Sequence, residues 1–286
     1  MSSILTNNSA MVALQTLNGI NSNLAKTQNE ISTGKSVATA KDNSAIWAIS
    51  KVMESDVAGF NSISDSLAVG ESTTAVASAG AEQIVDVLEE MRELAVAGIS
   101  ETADHAKIDA DMEQKEQQIL SIINAAQFNG VNLLKTDTDG NGGTGLTVLS
   151  SLDRAGANDV ANANPPTVSK ITVASADFEA DLDVAGRTAI ADSASAETAL
   201  GEIEGYLQVA VDGAATLGAS AKRIADQSDF IGKLTDSMKS GIGALVDTDM
   251  EEASARLQAL QVQQQLGVQS LSIANQAPQT LLSLFR

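Results

Sequence analysis

The sequence contains no cysteine, a single histidine and only three prolines, at positions 165, 166 and 278. Without cysteine the chain can form neither a disulfide nor a thiolate metal site. A metallopeptidase of the paired-histidine type needs two histidines on one helix face, so that class of enzyme is excluded too. Proline interrupts helices, so its absence from long stretches permits helices of many turns.

Aromatic and basic residues are scarce as well. Five Phe, one Trp and one Tyr leave a core of Leu, Ile, Val, Met and Ala, which suits long helices in thin bundles. Because 17 basic residues face 37 acidic ones, we expect neither nucleic acid nor anionic lipid as a partner. No window approaches the length of a membrane span, so we expect no membrane insertion. The first residues lack a basic segment followed by an apolar run, so we expect no cleavable secretory signal.

The charged residues avoid both ends of the chain. Of 54 charged side chains, five lie in residues 1–45 and six in residues 243–286. Both ends are nearly neutral and apolar at helical spacing, whereas the middle carries almost all of the net charge of −20. We therefore expect the ends to be buried, against each other or against other copies of the chain.

Heptad spacing recurs along the chain and predicts helix-to-helix packing. In the first half the spacing appears in two short seams: Ile84, Leu88, Met91, Ala95; and Ile108, Met112, Lys115, Ile119, Ile122, Ala126. In the last third it appears in two longer ones: Ile203, Leu207, Ala210, Ala214, Leu217, Ala221, Ile224, Ser228, Ile231; and Val246, Met250, Ala253, Leu257, Leu260, Gln264, Gly267, Leu271, Ala274. The N-terminal segment is spaced more loosely, with Met11, Leu14, Leu17, Leu24 and Ile31.

Helix ends and a short β-prone region divide these seams. Gly34, Asp104 and Asn129-Gly130 predict a helix end, an N-cap and a second helix end. Residues 136–194 contain a glycine-rich turn, two β-prone runs (146–149 and 171–173) and Asn164-Pro165-Pro166, which predict a small insertion with one or two hairpins. Helix resumes near Ser195 and runs to the end with a break near Gly241 and Gly243. We predict a mostly α fold of long antiparallel helices with coiled-coil packing, its N- and C-terminal helices paired, and a small β-containing insertion.

Both ends of the sequence resemble bacterial flagellin. The resemblance covers about 1–135 and 195–286 and rests on these motifs: Thr6-Asn7, Ile31-Ser32-Thr33-Gly34-Lys35, Ala40-Lys41-Asp42, Met91-Arg92-Glu93-Leu94-Ala95, Phe128-Asn129-Gly130, Asp247-Thr248-Asp249-Met250, Ala274-Asn275-Gln276 and Leu284-Phe285-Arg286. It implies three parts: axial core helices (1–45 with 243–286), a helical inner-tube domain (46–135 with 195–242) and a variable surface insertion (136–194). The loop at 36–47 departs from the common family pattern.

The resemblance implies a structural subunit that self-assembles into the helical flagellar filament for swimming, without catalysis or cofactor. Its implied partners are further copies, the flagellar export apparatus with an export chaperone, and the hook-junction and cap proteins. Its implied location is extracellular, in the filament. The expected self-assembly residues are Met11, Leu14, Leu17, Leu24, Ile31, Met250, Leu257, Leu260, Leu271, Leu281 and Leu284.

Three further predictions concern two short segments and one residue. Residues Leu88, Glu89, Glu90, Arg92 and Leu94 resemble the flagellin segment recognised by an innate immune Toll-like receptor, with Glu89-Glu90 in place of the usual Gln-Arg, a change we expect to weaken recognition. Residues 137–142 match the start of a calcium loop, but Val148 occupies the position that needs a bidentate carboxylate, so we expect a turn without metal. His105 is expected to be a solvated surface residue.

Two other functions remain as alternatives. A hook–filament junction protein would share the terminal helices without extending long filaments. A cell-surface flagellin-like adhesin would bind polysaccharide or metal through the insertion at 136–194.

Overall fold

The computed structural model describes residues 7–153 and 167–284, with the backbone alone for 153, 167, 168 and 277–284. The helices are α1 (Asn8–Thr33), α2 (Ser44–Gly98), α3 (His105–Ala125), α4 (Phe178–Asp181), α5 (Ser193–Val246) and α6 (Met250–Leu284). The strands are β1 (Gly145–Asp153) and β2 (Thr167–Ala174), and a 3₁₀ turn covers Val184–Gly186. The predicted fold class, mostly α with a small two-stranded sheet in the middle, is confirmed.

The chain forms two compact units. The terminal unit comprises Met1–Val57 with Ser237–Arg286, and the central unit comprises Ala58–Asp236. The boundaries expected from sequence at 45 and 243 fall inside the terminal unit, and the assignment of those parts to an axial core and an inner tube stays a prediction.

In the terminal unit, α1 and α6 pair in antiparallel orientation. Helix α1 ends at Thr33 because Gly34 takes up a left-handed conformation (φ 69°), as the sequence predicted. Residues just after α1 bond to the connection between α5 and α6: the Ser36 amide donates to the Val246 carbonyl (2.7 Å), and the Thr248 amide donates to the Gly34 carbonyl (3.0 Å). These bonds hold together the ends of α1 and α6 that meet at this side of the unit.

The break expected at Gly241 and Gly243 lies a few residues further along the chain. Helix α5 continues through both glycines to Val246, and α6 begins at Met250. The side chain of Asp249 accepts hydrogen bonds from the amides of Glu251 (2.9 Å) and Glu252 (3.2 Å), which makes it the N-cap of α6. The predicted position was wrong because this cap decides where the new helix starts, while glycine alone weakens a helix by only about 1 kcal/mol.

In the central unit the heptad seams of α2 and α5 form the core. All four residues predicted for α2 (Ile84, Leu88, Met91, Ala95) have no exposed surface. Along α5 every seventh residue is at most 1% exposed, as expected for one line of a coiled-coil seam: Ile203, Ala210, Leu217, Ile224 and Ile231. These predictions are confirmed.

The seam predicted for α3 is only partly right. Its buried face is Met112, Glu116, Ile119 and Ile123, which keeps heptad spacing but uses Glu116 and Ile123 where Lys115 and Ile122 were expected. Lys115, expected in the seam, instead forms an ion pair with Glu90 of α2. Asp104 is the N-cap of α3, as predicted, with its side chain accepting from the Lys107 amide. The helix ends at Ala125, and Asn129-Gly130 form a left-handed turn just beyond it.

The insertion contains one antiparallel hairpin of β1 and β2, with a bulge near Ser150. It packs directly on α2: a Cβ atom added at Gly70 would lie 2.5 Å from a methyl group of Val148. The side chains of Arg223 and Gln227 on α5 donate to the carbonyls of Thr172 (2.9 Å) and Ser150 (2.7 Å). The predicted turn residues Asn164, Pro165 and Pro166 lie outside the described residues.

A buried ionic cluster joins the segment after the hairpin to α3. The Arg187 side chain is 4% exposed, forms an ion pair with Glu116, and lies 2.9 Å from a carboxylate oxygen of Asp109. Burial raises the pKa of Glu116, and the guanidinium of Arg187 offsets part of that rise. Next to this cluster the carboxylate of Glu202 accepts from the amide (2.7 Å) and the hydroxyl (2.9 Å) of Thr188.

Candidate interaction surface of the terminal helix pair

Helix α1 buries one regular stripe against α6. The stripe steps alternately by three and four residues and is half-buried or buried throughout: Ala10, Ala13, Leu17, Ile20, Leu24, Thr27 and Ile31. This spacing keeps the side chains on one side of the helix, as in a coiled coil. Leu17, Leu24 and Ile31 were predicted from sequence, whereas Ile20 was not. Ala10, Ala13 and Thr27 were not predicted either, since alanine and threonine carry a weak apolar signal. The regular spacing that starts from Ala10 was the signal available.

Helix α6 presents the matching stripe, which was predicted from sequence. Its residues are half-buried or buried: Ala253, Leu257, Leu260, Gln264, Gly267, Leu271 and Ala274. The helices come close at Gly267, where an added Cβ atom would lie 3.2 Å from a methyl group of Leu17 and 3.7 Å from one of Ile20. This inner seam is therefore built from small residues alternating with leucine and isoleucine.

Polar contacts cross the same seam at two levels. The amide nitrogen of the Gln264 side chain donates to the Asn21 side-chain oxygen (2.7 Å). Near the start of α1, the side-chain amide of Asn7 donates to the backbone carbonyl of Ala274 (2.7 Å). Asn7 also accepts a bond from the Ala10 amide and so caps α1. The antiparallel register of α1 and α6 is fixed by these bonds together with those at Gly34 and Ser36.

Helix α6 carries a second apolar stripe on the opposite face. It also steps by three and four residues, and every member is exposed: Ala255, Ala259, Val262, Leu266, Gln269 and Ile273. Its residues follow those of the inner seam by two positions, about 200° around the helix. The exposed fractions of Val262, Leu266 and Ile273 are 55%, 57% and 63%. This outer stripe was not predicted from sequence, although its spacing is visible there.

Helix α1 has exposed apolar side chains near its start. Met11 is 61% exposed and Leu14 49%, and Val12 beside them is 63% exposed. We call these three residues together with the outer stripe of α6 the outer apolar surface. Exposed apolar side chains of this kind, on each of the two helices, mark sites of protein contact.

The expected self-assembly residues thus fall into three groups. Six lie in the inner seam between α1 and α6: Leu17, Leu24, Ile31, Leu257, Leu260 and Leu271. Met11, Leu14 and Met250 are exposed. Leu281 and Leu284 belong to α6, but their side chains lie outside the described residues.

The receptor-like segment lies on α2 in the central unit. Leu88 is fully buried in the core, and Leu94 is half-buried. Glu89, Glu90 and Arg92 are exposed. The exposed face is therefore mainly acidic, and Glu90 is paired with Lys115 of α3.

The residues considered for metal binding or catalysis have structural contacts instead. A ring nitrogen of His105 lies 2.9 Å from the carbonyl of Gly98, and the side chain is half-buried rather than fully solvated as expected. Asp137 and Asp139 accept amide hydrogen bonds from their own turn. Within 7–153 and 167–284, no group of three or more His, Cys, Asp or Glu side chains is arranged to hold a metal ion.

Among the helices of the described residues, none is both long enough and apolar enough to cross a bilayer.

Comparison with known proteins gives matches along the whole chain. The family profile described as the bacterial flagellin N-terminal helical region matches residues 4–138, and that of the C-terminal helical region matches 200–285. Flagellin FljK of Caulobacter vibrioides is 40% identical over 289 residues, covering 100% of this chain and 99% of the relative. A flagellin of Brucella melitensis is 40% identical over 293 residues with complete coverage of both chains, and flagellin C of Rhizobium meliloti is 35% identical over 321 residues, again with complete coverage.

Among solved structures, the crystal structure of Bacillus cereus flagellin matches with a TM-score of 0.47 and 22% identity. That match covers 57% of this chain and 86% of the other.

Proposed function

Because the chain belongs to the bacterial flagellins, the structural proteins that polymerise into the flagellar filament, we propose that its assembly contacts are made by the outer apolar surface of α1 and α6. The inner seam pairs α1 with α6 inside one subunit. The outer apolar surface then meets helices of neighbouring copies. Such a contact joins two different surfaces of identical subunits, and contacts of this kind that do not close produce an open helical fibre.

The observation that carries this proposal is the second, exposed stripe of α6. A helix that packs only within its own subunit needs one apolar face, and its opposite face is normally polar. Here the opposite face keeps heptad spacing with Val262, Leu266 and Ile273 exposed. A helix with two opposite seams is suited to packing between two partners.

The absence of charge along these helices supports the same proposal. Between Asn8 and Ala25 of α1, and between Leu257 and Leu284 of α6, the sequence contains no Asp, Glu, Lys or Arg. Burying these faces between copies therefore requires no desolvation of an ionised side chain. The net negative charge resides in the rest of the chain, where it favours solubility of the polymer.

We further propose that three parts of the chain take the positions in the filament that the family resemblance implies. Residues 1–45 with 243–286 form the axial core, 46–135 with 195–242 the surrounding helical tube, and 136–194 a small surface insertion. The subunit is secreted by the flagellar export apparatus with an export chaperone, and it meets the hook-junction and cap proteins at the filament ends. The full-length match to several flagellins supports this assignment.

Serine substitutions in the outer stripe test the proposal. Fully burying a Val, Leu or Ile side chain is worth about 1.5–3 kcal/mol, so burying the exposed half of each contributes about 1 kcal/mol. We expect a chain with Val262→Ser, Leu266→Ser and Ile273→Ser to have a critical concentration for seeded elongation about 100-fold higher than the unaltered chain. Its monomer should keep the unfolding temperature of the unaltered chain, since these side chains are already exposed.

Val268 provides a matched control on the same helix. It is 54% exposed but lies on the flank of α6, outside both stripes. We expect Leu266→Ser alone to raise the critical concentration about fivefold and Val268→Ser to leave it nearly unchanged. Equal effects of the two substitutions, or normal elongation by the triple variant, would show that the outer stripe does not carry the assembly contact.

The two alternative functions predict different outcomes. A junction protein would bind filament ends without extending them, so steady elongation of seeds by the purified chain counts against that role. For the adhesin, the discriminating change is replacement of residues 154–166, between paired strand ends Asp153 and Thr167, by the hairpin turn Asn-Gly. A filament subunit should still elongate seeds, whereas an adhesin that binds through this loop should lose its ligand.

Deleting the whole insertion, 136–195, would be a poor test of the same question. Phe178 is fully buried and Arg187 nearly so, and both lie in that range. The deletion would therefore remove part of the core of the central unit.

A further inference from the structure

The contact between Asn7 and Ala274 occurs at an unusual position of α6. In an α-helix, each backbone carbonyl accepts a hydrogen bond from the amide four residues later. For Ala274 that residue is Pro278, which has no amide hydrogen, and α6 continues as helix through it to Leu284. The Ala274 carbonyl is therefore the one within α6 whose helical donor is missing because of proline.

Asn7 supplies the missing donor from the other helix. Its side-chain nitrogen donates to the Ala274 carbonyl at 2.7 Å, while its side-chain oxygen accepts from the Ala10 amide at 3.1 Å. A carboxamide does both with two separate atoms, whereas a carboxylate has no donor and a serine or threonine hydroxyl must use one oxygen for both bonds. Glutamine has the same groups but is not among the preferred N-cap residues.

The inner seam by itself specifies register only weakly near this end. The residues of α1 that follow Asn7 in the seam are Ala10 and Ala13, and Gly267 lies in the facing part of α6. Small side chains at heptad spacing fit about as well after a slip of seven residues. After a slip of seven residues toward the start of α6, Asn7 would face the carbonyl of Gly267, which already accepts its normal helical bond.

We infer that Asn7 and Pro278 together act as a register lock for the terminal helix pair: proline frees one carbonyl of α6, and the Asn7 amide binds it only in the correct alignment. The inference deepens the proposed function, and it rests on that function where assembly is the readout. The alignment matters there because a slip would also displace Met11 and Leu14 relative to the outer stripe of α6.

Asn7→Asp removes the bond to the Ala274 carbonyl but keeps the N-cap of α1. Aspartate caps a helix as well as asparagine does, so α1 keeps its N-cap, but the bond to Ala274 is lost and a carboxylate faces a carbonyl. Pro278→Ala restores the helical donor. We expect Asn7→Asp to raise the critical concentration for seeded elongation about 5- to 100-fold in the original chain and less than about threefold in the Pro278→Ala chain.

Asn21 gives the matched control. Its bond to Gln264 also crosses the seam, but it joins two side chains and involves no backbone carbonyl whose helical donor is missing because of proline. The effect of Asn21→Ala should therefore be the same with Pro278 and with Pro278→Ala. An equal cost of Asn7→Asp in the two backgrounds, or no cost in the original chain, overturns the inference.

A second measurement does not depend on assembly and uses the lack of cysteine in the chain. Leu17→Cys with Gly267→Cys places a pair in the native register, since these positions face each other. Ala10→Cys with Gly267→Cys places a pair that meets only after a seven-residue slip toward the start of α6. With Asn7, we expect the native pair to form its intramolecular disulfide at least ten times faster than the slipped pair. With Asn7→Asp, we expect the ratio of these two rates to fall at least threefold.

The two measurements distinguish a failure of the register-lock inference from a failure of the proposed function. If the unaltered chain fails to elongate seeds but shows the expected disulfide ratios, the proposed function fails and the register lock stands. If elongation is normal but the ratio does not respond to Asn7→Asp, the register lock fails and the proposed function stands.

Discussion

Replacing Arg187 with methionine removes the only cation of the buried cluster that joins the post-hairpin segment to α3. Methionine fills much of the same volume, so the change chiefly removes charge and hydrogen bonds. The side chains of Arg187 and Glu116 are 4% and 10% exposed, so Glu116 is left in a buried site without its partner. Removing one partner of a buried ion pair costs about 3–5 kcal/mol. For a unit of this size, that cost corresponds to a fall in unfolding temperature of about 6–20 °C.

The loss of stability caused by Arg187→Met should depend on pH, and the titration of Glu116 determines the direction. Burial already raises the pKa of Glu116, and removing the nearby guanidinium raises it further. A carboxyl group whose folded pKa lies above its unfolded value favours folding more as the pH falls through the folded pKa. The difference in stability between the two chains should therefore be largest at and above neutral pH and should shrink as the pH is lowered toward 5.

Thermal unfolding followed by circular dichroism between pH 5 and pH 8 measures both effects. Glu116→Gln, introduced together with Arg187→Met, serves as the control because it removes the buried charge. It should restore at least about 1 kcal/mol at pH 8 and should weaken the pH dependence. A loss of less than about 1 kcal/mol on Arg187→Met, or a loss that grows as the pH falls, would refute this reasoning.

Three further predictions concern other parts of the chain. Gly70→Val should lower the stability of the central unit by about 1–3 kcal/mol, since the new side chain meets Val148, and denaturant unfolding measures the loss. Leu260→Ala, in the inner seam, should raise the critical concentration for elongation at least 30-fold, because truncating a buried leucine costs about 2–5 kcal/mol; an unchanged value in a sedimentation assay would count against the seam. Glu89→Gln with Glu90→Arg should increase the response of a Toll-like receptor reporter to the monomer, and a response of the unaltered chain equal to that of a recognised flagellin would contradict the charge argument.

The long helices of the central unit could be predicted from sequence because their seams are sustained and strongly apolar. In α5 the heptad runs from Ile203 to Ile231, and four of the five most buried positions are Ile or Leu, so its phase is unambiguous. The phase of the α1 seam was not predicted, since three of its seven residues are alanine or threonine. The register of α3 was misjudged because Glu116 is buried only through its pairing with Arg187, which is 71 residues away in sequence.

The interaction surface was predicted only in part for a related reason. Periodicity shows that a residue lies on an apolar face but not which partner covers that face. Leu17 and Leu14 both belong to apolar positions of α1, yet only Leu17 lies against α6. The bond from Asn7 to Ala274 joins residues at opposite ends of the chain and required the three-dimensional arrangement.

The central claim is that contacts of the paired terminal helices build the filament. Seeded elongation viewed by electron microscopy, with the full chain and with a chain lacking residues 267–286, tests it most directly. The deletion removes the Gly267 contact with Leu17 and the Ala274 carbonyl that binds Asn7, together with Ile273 of the outer stripe. We predict that the full chain elongates seeds and that the shortened chain does not, although its central unit unfolds at an unchanged temperature. Filaments of normal length from the shortened chain would contradict the claim.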